Sequence, residues 1–265
     1  MKKTILFGKE CKVKMRERIR TMMNKKAFHI VVIIVIIAAI LFFLGITILK
    51  YNVEGETNMP ITLTKISVIS SSEGIDKEAG EDRWAFDINQ NNDLYIYLEK
   101  NKNYEKEELL EAVFIENIHL EKMPQKGQIM FYKPDAEATN GFFVNKEEDK
   151  IENLNFQAGE KENIASCEIS NQGGKIAFRY AINNVAECRL NDEEIRHEEL
   201  LKKSGVTFEE LQSTLQFDLI IKFQSGKEFK TTITLELPIN EVVEKGVASQ
   251  EFTNMEDFIF KRIKN

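Results

Sequence analysis

Residues able to move protons near neutral pH are scarce in this chain, which has only three histidines. Imidazole is the side chain that ordinarily titrates in that range, so acid–base chemistry has little to draw on. His119 falls within a strand pattern and reads as a half-exposed strand residue. His197-Glu198-Glu199-Leu200-Leu201 begins as His-Glu-x-x-His would, but Leu201 stands where the second metal-holding imidazole must be. No Gly-x-Ser-x-Gly occurs, no Ser-x-x-Lys sits at a helix start, and neither Cys167 nor Cys188 has a neighbouring His. Gly173-Gly174 is isolated and reads as a hairpin turn, not a phosphate loop. No catalytic, cofactor or metal residue is therefore assigned.

Three weaker patterns remain. Asp87-Ile88-Asn89-Gln90-Asn91-Asn92-Asp93 alternates oxygen ligands like a calcium loop, yet the sixth position is Asn92 instead of Gly and the twelfth is Leu98 instead of Glu. A polar hairpin turn at 89–92 is the expectation. Tyr95 and Tyr97 alternate with Leu94, Ile96 and Leu98; they form either an aromatic ligand platform or one face of a doubly buried central strand, and the core reading is favoured. Glu147-Glu148-Asp149 reads as a solvated loop. Cys167 and Cys188 form a possible disulfide in an oxidising compartment, without the spacing of a zinc site. Paired carboxylates of the glycosidase kind leave no linear motif, so a carboxylate-dependent hydrolase stays open as the alternative function.

The elements that must position these residues read as short antiparallel strands. Leu215–Phe223 and Phe229–Leu237 alternate apolar and polar residues on either side of Ser225-Gly226-Lys227, the pattern of a half-buried hairpin that ends at Pro238. Similar patterning predicts a hairpin from Trp84–Ile88 to Leu94–Leu98. A second would run from Val113–Leu120, through a turn near Pro124 and Gly127, to Ile129–Tyr132, and a third from Ile164–Ile169 to Ile176–Tyr180. Strands are also expected at Ile61–Ser70, Phe142–Val144 and near Phe258–Ile263. Two short helices interrupt them: one over about Glu193–Lys203, closed by Gly205, and one opened by the capping box Thr207-Phe208-Glu209-Glu210. The fold class is mainly β, an antiparallel β-sandwich-like domain over 61–265, with a possible sub-boundary at 133–141.

Ahead of that domain, Ala27 to Leu49 contains no Asp, Glu, Lys or Arg. As a helix it would be roughly 33 Å long, enough to cross a bilayer core of about 30 Å. Residues 1–26 form a basic arm with ten Lys and Arg against two Glu. Basic flanks stay cytoplasmic, so the N-terminus is expected inside and the C-terminal domain outside. The exit sequence Leu44-Gly45-Ile46-Thr47-Ile48-Leu49-Lys50 offers no Ala-x-Ala-like site, so 27–49 is expected to be retained as an anchor and followed by a short linker at 50–60. The whole chain is at −7 while the arm carries +8 and Lys50 +1, which leaves −16 on residues 51–265. Such charge excludes nucleic acid as a partner and favours solubility.

Ile is abundant, as are Lys, Asn and Glu, and no Asn-x-Ser/Thr acceptor occurs. In these respects the chain resembles single-pass envelope proteins of low-GC Gram-positive bacteria, a general resemblance that implies no activity. The expected function is a membrane-anchored, extracytoplasmic, non-enzymatic binding or assembly module. It would be held by the lipid bilayer through residues 27–49 and would engage an envelope protein partner.

Overall fold

The computed structural model describes residues 29–30, 32–45, 51–53, 59–77, 84–134, 143, 153–159, 167–190 and 196–263. The expected arm at 1–26 and most of the boundary at 133–141 lie outside these residues, as do Phe142, Val144 and Glu147–Asp149. The described residues between 29 and 45 are helical (α1), and Ile33, Ile36, Leu41 and Phe43 on it are each more than half exposed. Among the described residues no helix is long and apolar enough to cross a membrane. Residues Asn52–Lys264 form one compact unit.

That unit is mainly β. One sheet contains β1 (Tyr51–Val53), β12 (Lys261–Ile263), β10 (Glu228–Glu236), β9 (Thr214–Phe223), β4 (Leu110–Lys122) and β6 (Leu154–Gln157), in that order across it. The other runs β11 (Val247–Phe252), β2 (Ile61–Lys77), β3 (Trp84–Lys100), β8 (Gly173–Leu190), β5 (Gln128–Tyr132), with β7 (Ile169–Ser170) also on β8. The registered pairs within both sheets are antiparallel. Alternation places Leu215, Phe217, Leu219 and Ile221 of β9 and Leu94, Ile96 and Leu98 of β3 in one core, each at most 1% exposed. The sheets meet there, with the Phe178 and Phe217 rings edge to face at 5.4 Å.

The β9–β10 hairpin forms as its alternation predicts, in register from Glu228–Lys222 to Glu236–Thr214. A strand also runs from Ile61, and another ends at Ile263. Two other expected hairpins do not form. Trp84 to Lys100 is a single strand of 17 residues, paired with β2 on one side and β8 on the other. The expected turn at 89–92 is therefore a buried strand centre. Its polar groups are answered within the sheet: Ser70 Oγ donates to Asn92 Oδ1 at 2.6 Å, and the Gln90 and Asn92 carboxamides bond each other at 2.8 and 3.0 Å. Once each buried amide has partners, desolvation no longer forces the segment to the surface. The second failure is topological, because β4 joins one sheet and β5 the other. Of the third hairpin, Ile169-Ser170 does return along Gly173-Gly174, while 164–166 lie outside the described residues.

Sheet two outruns sheet one, and short helices cover the surplus. Residues His197–Glu199 form a 3-10 turn that leads into α2 (Leu200–Lys203), so the expected helix is shorter than 193–203 where it is described. α3 (Phe208–Leu211) starts at the Thr207 capping box, where the Thr207 amide donates to Glu210 Oε2 at 3.0 Å. α4 (Ile239–Lys245) was not expected; it buries Ile239, Val242 and Val243. It ends at Gly246 with φ 74°, where an added Cβ would lie 2.4 Å from Glu198 Cα. That close approach lets the Gly246 carbonyl accept the Ser72 amide at 2.8 Å and pins the helical layer to β2.

Candidate functional site: the outer face of the second sheet

Because Leu94, Ile96 and Leu98 face the core, Tyr95 and Tyr97 are turned to the opposite face, where both are half-buried. Tyr97 is thus an outer-face residue, whereas Tyr95 is partly buried and packs against the hydrophobic cluster, so the core reading holds in part for Tyr95. The register sets Lys65 of β2 and Lys175 of β8 on either side of Tyr97. A bulge at Thr64 makes this possible by shifting β2 one residue between Leu63 and Lys65, so that Ile66 and Val68 still point inward. Lys65 Nζ lies 4.7 Å from the Tyr97 ring centre, and Lys175 Nζ lies 5.4 and 5.8 Å from those of Tyr95 and Tyr97. Ammonium groups at such distances are attracted to the negative ring faces.

Charge on this face is closely paired. Glu251 of β11 accepts from Lys65 at 2.6 Å, and this hydrogen bond raises the lysine above its ordinary value. Asp93 receives Arg179 through both oxygens, at 2.6 and 3.0 Å, and Arg179 also lies 4.9 Å from the Phe143 ring centre. Burial, and then the nearby Asp93 carboxylate, push the Tyr95 phenol up, so it stays protonated.

Beside Tyr97 the sheet opens into a groove of about 460 Å³, lined by Tyr97, Glu99, Lys100, Glu168, Gln172 and Lys175 with the Gly173-Gly174 backbone at its floor. Gly173 and Gly174 have φ of 110° and 153°, and Cβ atoms there would sit 2.4 Å from Leu98 O and 2.2 Å from Glu168 O. Only glycine lets the three backbones approach so closely. The surface offers an aromatic ring, two ammonium groups, two carboxylates and a carboxamide, which suits recognition of a polar chain. The groove carboxylates Glu99 and Glu168 are both exposed, without the apolar enclosure that prepares a general acid.

The residues singled out by spacing are not brought together. His119 is exposed on β4, its Nδ1 2.7 Å from Asn117 O, and His197 is exposed at the 3-10 turn. Leu201, at the absent ligand position, is 1% exposed and belongs to the core. Asp87 meets Lys77 at 3.1 Å, far along β3 from the Asp93–Arg179 pair, so the calcium-like run lies extended. Among the described residues no group of three or more His, Cys, Asp or Glu could hold a metal.

The possible disulfide is corrected by the same strand geometry. Cys167 precedes Ile169, which pairs with Gly174 at the start of β8, whereas Cys188 pairs with Phe86 near its far end. Gly174 to Cys188 spans roughly 45 Å at about 3.3 Å per residue, against a Cα separation under about 7 Å in a disulfide. Cys188 is buried, and burial raises its thiol.

Lys65, Lys175 and Arg179 were not singled out by sequence. Their signal is register alone, which becomes visible only when β2, β3 and β8 are aligned. No protein-family model, no curated protein and no solved structure matches this chain.

Proposed function

We propose that this protein is a single-pass, membrane-anchored module of the cell envelope whose β-rich domain works outside the membrane as a non-enzymatic binding or assembly unit. The observation that carries the reading is the uncharged run from Ala27 to Leu49, whose described helical residues turn Ile33, Ile36, Leu41 and Phe43 outward. Exposed apolar side chains at this density are costly in water and comfortable in hydrocarbon. Sidedness is supported by the ten basic residues of the arm against the acidic body. The groove beside Tyr97 is the described surface best suited to a partner, because it presents aromatic and charged groups without a catalytic arrangement.

Protease added to intact cells tests sidedness. The domain after Lys50 should be digested or released while a tag at the N-terminus survives; survival of the domain until the cells are permeabilised reverses the topology. Replacing Ile36→Lys and Ile37→Lys together should move the chain to the soluble fraction, and retention in the membrane would remove the anchor. Crosslinking in cells should lose a partner in Tyr97→Ala with Lys175→Ala; an unchanged pattern would dismiss the groove.

A further inference from the structure

The outer face of sheet one carries a different constellation. Asp218 of β9 is 7% exposed although it points away from the core. Lys230 Nζ of β10 lies 2.7 Å from Asp218 Oδ2, and the Asn117 carboxamide of β4 donates to the same oxygen at 2.6 Å. The other oxygen is held by Thr232 Oγ1, also at 2.6 Å. Asn117 reaches the carboxylate through a bulge: β4 loses register with β9 between Glu116 and His119, and Asn117 has φ 54°. A bulge re-aims a side chain, and a left-handed non-glycine residue persists only where its surroundings hold it. Among the described residues no other ion pair shares its carboxylate with a carboxamide. One oxygen therefore touches both a primary amine and the nitrogen of an amide, the placement needed to carry a proton from a nucleophile to a leaving group.

We propose that Lys230, Asp218 and Asn117 form a self-modification site that joins β10 to β4 by a side-chain amide bond across β9. Lys230 Nζ attacks the Asn117 Cγ carbon, so the Nζ–Cγ bond forms and the Cγ–Nδ2 bond breaks. Nζ gives up two protons from its ammonium form: one passes to solvent at mildly alkaline pH, and Asp218 carries the other to Nδ2, which departs as ammonia; no oxidant, reductant or co-reactant enters. The step is slow, because an amine must give up a proton before it attacks, but it need happen only once in the life of each chain. Opposing that, Asp218 Oδ2 holds the amine and the carboxamide nitrogen at 2.7 and 2.6 Å, and keeping two reactants side by side in one fold raises their effective concentration. Side-chain exposures of 25% for Lys230 and 10% for Asp218 shelter the amine and the carboxylate, while Asn117 is exposed, so the amine must outcompete water through its placement. The proposal is independent of the membrane reading, since it concerns chemistry within one sheet.

Intact-mass measurement of the purified full chain, aged at mildly alkaline pH, decides the matter. The chain should be lighter than its sequence by one ammonia, and peptide mapping should find a branched peptide that contains Asn117 and Lys230. Lys230→Arg and Asn117→Ala should each restore the full mass. Asp218→Asn keeps the shape of the carboxylate and should leave the chain unlinked. A wild-type chain that keeps its full mass overturns the proposal. A branched peptide that still forms at the wild-type rate in Asp218→Asn overturns the role given to the carboxylate.

Discussion

At the residue scale, the seam of Ser70, Gln90 and Asn92 matters most, because its polar side chains are completely buried and bonded to one another. Asn92→Ala would strand the Ser70 hydroxyl and Gln90 Oε1, while Gln90 Nε2 keeps the Asn91 carbonyl, at a cost of about 1–3 kcal/mol for each group left without a partner. Denaturant titration of the domain should show the midpoint falling accordingly; an unchanged midpoint would mean that water reaches the seam. Glu108 gives a pH-dependent counterpart. Burial pushes its carboxyl up, but hydrogen bonds from Lys227, 2.5 Å away, and from Ser225 outweigh that and hold it below its usual value. Its contribution to stability is therefore complete above about pH 4.5 and fades as pH falls through the lowered value. Glu108→Gln should flatten that acid limb in pH-dependent unfolding, and an equally steep limb would assign it elsewhere. Of the seam, sequence reading saw only composition, since Asn and Gln clusters favour turns. The overlooked signal was parity: Ile88, Gln90, Asn92, Leu94, Ile96 and Leu98 keep one inward face, with no Gly or Pro between them.

At the element scale, legibility depended on punctuation. The β9–β10 hairpin was readable because a glycine turn separates two alternating runs, whereas the β4-to-β5 connection looks the same locally and yet crosses between sheets. Local patterning cannot say which sheet a strand will join. α4 was missed for its shortness, although Ile239, Val242 and Val243 have helical spacing and Gly246 follows as its cap. Two outcomes check the strand assignments. Gly173→Ala should destabilise the domain by more than the roughly 1 kcal/mol expected of left-handed strain alone, because its Cβ would meet Leu98 O at 2.4 Å. Equal losses for Gly173→Ala and Gly226→Ala, where the latter meets open space, would refute that close approach. Non-reducing peptide maps should show no Cys167–Cys188 link, and finding one would break the continuity assigned to β8.

At the scale of the whole molecule, the mainly β architecture was legible from short alternating runs, but sheet order was not, because it depends on partners far apart in sequence. β11 shows this most clearly: its residues 247–252 cover the edge of β2 at residues 66–71. A chain cut after Gly246 would leave that edge bare, and unpaired edges invite association. The truncated protein should sediment as aggregates where the intact one does not; a monodisperse truncation would show that β11 is dispensable. The same pairing governs events at the ribosome. With translation at about 5–20 residues per second, the stretch between the two strands takes on the order of 10–40 s to emerge. Throughout that interval the nascent chain carries an unsealed strand, so completion of the second sheet waits on the last tenth of the chain to be made.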